Sequence, residues 1–131
     1  MNFSFKELCY SDTAIILGIN NMPKDTEKLD NMLNLMVECL QPIRDKIGKP
    51  MRISSGYRCE LLNRHVGGVD NSQHTKGQAV DFTILGMSIY EIIDFIKKSG
   101  VEYDQLINEY NKWVHISYNK GKNRKQILSI R

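Results

Sequence analysis

The chain has 131 residues, 41% of them hydrophobic and 25% charged, which suits one soluble domain whose core needs no disulfide support. Cys9, Cys39 and Cys59 are an odd set without paired spacing; this argues against a disulfide framework and fits synthesis in a reducing compartment. The net charge is +3, with Lys120, Lys122, Arg124, Lys125 and Arg131 gathered near the end; this run reads as a solvated edge or an attraction to an anionic polymer, and no nucleic-acid-reading motif accompanies it.

The first ten residues carry Lys6 and Glu7 and lack the apolar run of a signal peptide. No stretch approaches the roughly 20 apolar residues of a membrane span. Cytoplasmic synthesis and no membrane partner are therefore expected. Ser4 stands three residues before Glu7, a capping-box spacing that opens a short helix. Ser11 and Asp12 cap a second one through Leu17, stopped by Gly18. The longest helix is predicted from Thr26 to Ile47, with Leu29, Met32, Leu33, Met36, Val37, Leu40 and Ile43 at helical spacing. Pro42 should kink or split it, and Gly48 ends it.

Met51 to Ser55 reads as a strand and Arg58 to Val66 as a helix, followed by a loop through Asn71. Gln78 to Leu85 reads as a buried strand. Ser88 caps a helix through about Lys98, with Ile89, Ile92, Ile93 and Ile96 facing inward. Strands near Tyr103–Asn108 and Trp113–Tyr118 follow, with a last edge strand at Gln126–Ile130. Helices come first and strands cluster later, so the expected class is α+β with a mainly antiparallel sheet, in a single domain over residues 1–131.

Three residues suit a metal such as zinc: His74 in a loop, Asp81 in the middle of the strand "QAVDFTIL", and His115 in "WVHIS". Catalytic zinc commonly takes three nitrogen or oxygen ligands and leaves a position for water. An aspartate between Val80 and Phe82 needs a reason, because burying a carboxylate costs several kcal/mol in order of magnitude unless a cation or donors compensate. Taken singly, each of the three has an ordinary structural reading: a loop histidine, a buried ion-pair aspartate, a strand histidine.

The segments "SSGYRCELLN", "GGVDNSQHTKGQAVDF" and "WVHISY" resemble the zinc D-alanyl-D-alanine carboxypeptidases and related cell-wall endopeptidases, a family that shares its fold with the hedgehog signalling domain. The resemblance runs from about Phe5 to Tyr118, and its SxHxxGxAxD pattern spans Ser72 to Asp81. It implies a hedgehog/DD-peptidase-like fold and one Zn2+ per chain, held by His74, Asp81 and His115. It implies a general base six residues before the last ligand, which is Glu109. Relatives that place the acid three residues before that ligand would put it at Lys112, so Asp104 stands as the fallback. It implies an active-site role for Arg58 of "GYR", holding a substrate carboxylate or polarising the scissile carbonyl. Ser72 and Gln73 are candidates to bind substrate or orient His74. Trp113, where some relatives carry histidine, offers an aromatic wall to the substrate. The implied substrate is a peptidoglycan stem peptide with a D-amino acid next to the cut, acted on by a monomer with no nucleic-acid partner, in the manner of a phage lysis enzyme.

Two other classes compete. A zinc-containing binding module of the same fold is the alternative, and Glu109 with Arg58 favours the enzyme. A structural zinc site would need a fourth protein ligand, and no cysteine or histidine of suitable spacing remains.

The general base carries a geometric condition. In a continuous strand six residues span roughly 20 Å, so Glu109 and His115 can serve one water only if the chain reverses between them. A two-residue loop at Asn111-Lys112 would put Glu109 on the face away from His115. A three-residue loop over Tyr110–Lys112 would pair it with Trp113, on the same face as His115.

Overall fold

In the computed structural model, which describes residues 1–131, the polar residues that open helices sit where the pattern asks for them. Ser4 caps α1 (Phe5–Cys9) through the Glu7 amide, and Ser11 caps α2 (Asp12–Leu17) through the Ala14 amide. Gly18 closes α2 at φ 67°, a left-handed conformation that costs glycine little.

The long predicted helix is divided. Its first part, α3, covers Thr26–Leu35; a wider π-helical turn covers Met36–Leu40; α4 runs Gln41–Ile47. Pro42 explains the division. It has no N–H to donate, and its ring would strike the carbonyl of residue 38 in a regular helix. The wide turn, closed by the Gln41 amide on the Met36 carbonyl, makes room for it. The buried face is Met32, Leu35, Met36, Cys39, Leu40 and Ile43. Leu33 and Val37, at the same helical spacing, stand 43% and 49% exposed on the flank of that face.

The strands are β1 (Arg52–Ser55), β2 (Ala79–Thr83), β3 (Gln105–Glu109), β4 (Trp113–Ser117) and β5 (Gln126–Ile130), with α5 (Glu60–His65) after β1 and α6 (Ile89–Ser99) after β2. They form one sheet in the order β1-β2-β4-β3-β5; every pairing is antiparallel except β3 with β5. The class is α+β with a mainly antiparallel sheet. The predicted strand Gln78–Leu85 is shorter than expected at its end, because the chain turns at Ile84–Met87 and leaves Leu85 94% exposed. No helix is long and apolar enough to cross a membrane.

Alternation along the strands divides the sheet into two faces. Val80, Phe82, Leu106, Val114 and Ile116 point one way and join the core with α1, α3, α4 and α6. Asp81, His115, Ile107 and Glu109 point the other way, because residues directly opposite in register share a face. The capping box at Ser88 and Glu91 fixes the start of α6, whose Ile89, Ile92 and Ile96 pack into that core.

The basic segment near the end is largely paired rather than free. Lys120 meets Glu38 at 3.3 Å and Lys125 meets Glu102 at 3.3 Å. Arg124 grips the buried Asp104 with Nε at 2.8 Å and Nη2 at 2.9 Å, and adds its backbone amide at 2.9 Å. These bonds from Arg124, with another from Gln73, outweigh burial and hold the Asp104 carboxyl down at about 2. A carboxyl whose folded pKa is depressed stabilises the fold above its unfolded value near 4, and loses that contribution as pH falls towards 2. Arg124→Ala should therefore cost about 2 kcal/mol at neutral pH, the scale of hydrogen bonds to a charged group. Urea midpoints of the two proteins should converge as the pH is lowered from 6 to 2; a gap that stays constant would show that the pair does not act through ionised Asp104.

Candidate metal centre

The first member of the site comes from a loop, and much of that loop is built to hold it. Residues 72–78 form consecutive turns: the Thr75, Lys76 and Gly77 amides donate to the Ser72, Gln73 and His74 carbonyls. The Ser72 hydroxyl accepts from the His74 amide at 3.2 Å, and the Thr75 hydroxyl donates to the Ser72 carbonyl at 2.6 Å. Gly77 turns the chain at φ 75°, against the Lys28 carbonyl and Met32 of α3, where a side chain would collide.

His74 is 3% exposed, and its Nδ1 lies 2.7 Å from the Gly56 carbonyl. A carbonyl can only accept, so Nδ1 carries a proton and Nε2 is the ring nitrogen that faces Asp81 and the site. This is the arrangement in which a histidine binds metal, with the second ring nitrogen anchored to a backbone oxygen. Gly56 can serve as the anchor because it lies against the backbone of Leu8, where a Cβ would overlap the Leu8 carbonyl.

The second and third members come from adjacent strands. Asp81 on β2 is directly opposite His115 on β4. Asp81 Oδ1 lies 3.1 Å from His115 Nδ1 and 3.3 Å from His74 Nε2. The two imidazoles meet edge to face, 5.1 Å between centroids. Burial pushes the Asp81 carboxyl up, but hydrogen bonds from His115 and His74, with their charge, pull it well below the ordinary carboxylate range. The polar side-chain partners of the buried Asp81 carboxyl are these two imidazoles. The donor atoms of His74, Asp81 and His115 all lie within 4.8 Å of one another, so a single ion can touch all three. Two imidazoles and a carboxylate suit zinc, and three protein donors leave a position for water.

Glu109 joins this group through the turn that its position requires. The β3–β4 loop is Tyr110-Asn111-Lys112, and Glu109 pairs with Trp113. Tyr110 and Asn111 both take positive φ, at 60° and 55°. The Asn108 carboxamide stabilises this, accepting from the Asn111 amide at 2.9 Å and donating to the Asn111 side chain at 2.7 Å. The Tyr110 amide donates to the Ile130 carbonyl of β5. Glu109 Oε1 then stands 3.6 Å from His115 Nδ1 and 3.1 Å from the Trp113 indole nitrogen.

Arg58 follows β1, its amide bonded to the His74 carbonyl. Its guanidinium makes one long bond, Nη1 to the Ser55 hydroxyl at 3.4 Å, while its buried Nε has no acceptor. Burial pulls its pKa down, opposed by the charges of Asp81 and Glu109, so it faces the acidic side of the site. Gln73 turns away from the metal ligands: its amide donates to Asp104 at 2.8 Å. Asp104, the fallback base, is only 1% exposed and committed to Arg124 and Gln73, so it has no lone pair directed at the ligands. What the sequence did not reveal is the role of Gly56. Its only signal is the glycine after "SS", which reads as a strand breaker.

A family model described as Peptidase M15 matches residues 1–117. No curated protein matches the chain.

Two outcomes follow for the metal. Gly56→Ala should weaken zinc binding roughly 10–100-fold by displacing the carbonyl that orients His74, as read by competition with a chromogenic chelator. Chelation should lower the melting temperature by on the order of 10 °C and leave the fold intact. None of the 23 clustered core residues is a ligand, so calorimetry and far-UV circular dichroism should show a cooperative transition in the metal-free protein.

Proposed function

Because the chain belongs to the Peptidase M15 family and is a metallopeptidase, we propose that it hydrolyses peptidoglycan stem peptides at a bond next to a D-amino acid, using one zinc ion. The observation that carries this reading is the convergence, on one face of the sheet, of three metal donors with a carboxylate 3.6 Å from the nearest of them. That carboxylate accepts from the Trp113 indole and can take a proton from water beside the metal donors. The substrate class rests on the resemblance of "SQHTKGQAVDF" and "WVHIS" to cell-wall peptidases, as does the assignment of a hedgehog/DD-peptidase-like fold.

His74 through Nε2, Asp81 through Oδ1 and His115 through Nδ1 would hold the zinc. When bound, zinc supplies Lewis acidity, which acidifies water towards neutral pH and polarises a carbonyl. Glu109 accepts the proton of the attacking water on its carboxylate and returns it to the leaving amine. Arg58, with most of its guanidinium uncommitted, binds a substrate oxygen, either the scissile carbonyl as negative charge develops or a terminal carboxylate. Ser72 and Gln73 act on the loop: one braces the His74 amide and the other ties the loop to Asp104.

The decisive experiment combines zinc loading with digestion of purified peptidoglycan. Mass spectrometry of the muropeptides distinguishes loss of a terminal D-alanine from an internal cut. Glu109→Gln should retain zinc and the fold and lose roughly 10²-fold or more in turnover. Zinc-loaded protein that leaves every stem peptide intact would favour the binding-module alternative.

A further inference from the structure

Trp113 was expected to form a wall for the substrate, yet its polar atom is engaged elsewhere. The indole Nε1 donates to Glu109 Oε1 at 3.1 Å. The two residues face each other across the β3–β4 pair, so the backbone itself brings them together. Within the loop, Tyr110 packs its ring 5.7 Å from the indole, inclined at 59°. Tyr110 does this from a positive φ, a conformation that bulky residues rarely adopt. Glu109 has no other protein donor for either oxygen, and its Oε1 is the atom nearest His115.

We propose that Trp113 is a positioning residue for Glu109, its indole N–H holding the carboxylate in the orientation from which it serves the water beside His115. The proposal rests on Glu109 being the general base. A glutamate on a strand has three rotatable bonds and loses rotamer freedom when ordered. An indole has two, and its N–H can only donate. It neither titrates nor competes for the proton. The bond leaves Oε2 free to accept a proton from water, and the Tyr110 ring keeps the indole from swinging away.

The test compares the wild type, Trp113→Phe, Glu109→Gln and the double variant, all zinc-loaded, on muropeptides. Phenylalanine keeps the aromatic body against Tyr110 and removes only the donor. Trp113→Phe should lower kcat roughly 10-fold, the scale for losing a group that orients another, with KM and zinc content unchanged. The double variant should be no slower than Glu109→Gln alone. A rise in KM with kcat unchanged, or an equal further loss in the Glu109→Gln background, would overturn the proposal and make Trp113 a substrate contact. Normal turnover in zinc-loaded Glu109→Gln would instead remove Glu109 as the base, a separate failure. A second readout needs neither zinc nor activity. Trp113 is the only tryptophan, so the metal-free protein shows a single indole N–H resonance. That resonance should move upfield in Glu109→Ala; an unchanged shift would show that the bond is absent in solution and overturn the proposal.

Discussion

A carboxylate sits in the interior of the sheet with two imidazoles around it, and much of the molecule is arranged to keep it there. Asp81 lies between Val80 and Phe82, both fully buried on the opposite face. Sliding β2 by one residue against β4 would turn Asp81 into the core and put Val80 or Phe82 among the histidines. Burying that charge without partners costs several kcal/mol in order of magnitude. The apolar alternation that builds the core and the polar alternation that builds the metal centre are thus one choice of register. The facing pairs Val80–Ile116 and Asp81–His115 are made together or lost together.

The third ligand needs a different device, because His74 belongs to no strand. Its loop is tied on three sides: to Gly56 through the imidazole, to Arg58 through its carbonyl, and to Asp104 through Gln73. Asn21 locks the Gly56–Arg58 stretch from below, donating to the Cys9 and Tyr57 carbonyls and accepting from the Cys59 amide. The buried polar groups in this region mostly have partners, which is what makes a rigid site. Arg58 Nε is an exception, on a residue whose proposed work is to meet a substrate.

The segment beyond residue 117 takes part in the same arrangement although it lies outside the family match. Arg124 reaches back to Asp104, and β5 pairs with β3 along its whole length, Ile130 opposite Glu109. The Ile130 carbonyl supports the turn that sets Glu109 on the face of His115. The edge of the sheet is therefore connected to the chemistry at its centre through the β3–β4 loop.

Much of this was legible in the linear chain. Ser4, Ser11 and Ser88 announce helix starts, and Gly18, Gly48 and Gly100 announce ends, because caps act over a few residues and leave a local signature. The type and spacing of His74, Asp81 and His115 select the chemistry of a metal, and the six-residue gap from Glu109 to His115 demands a turn of odd length or a local bulge. Other features depended on contacts between distant segments. The order β1-β2-β4-β3-β5, the parallel pairing of β5 and the widened turn before Pro42 follow from how the elements pack. Likewise Asp104 was a free carboxylate on paper and an occupied one in the fold, and Gln73 and Trp113 turned to Asp104 and Glu109. Residue type determines which bonds a side chain can make, and this the amino-acid sequence supplies by itself. Which partner satisfies it depends on the tertiary structure, because a buried donor or acceptor takes the nearest group that packing brings within about 3 Å.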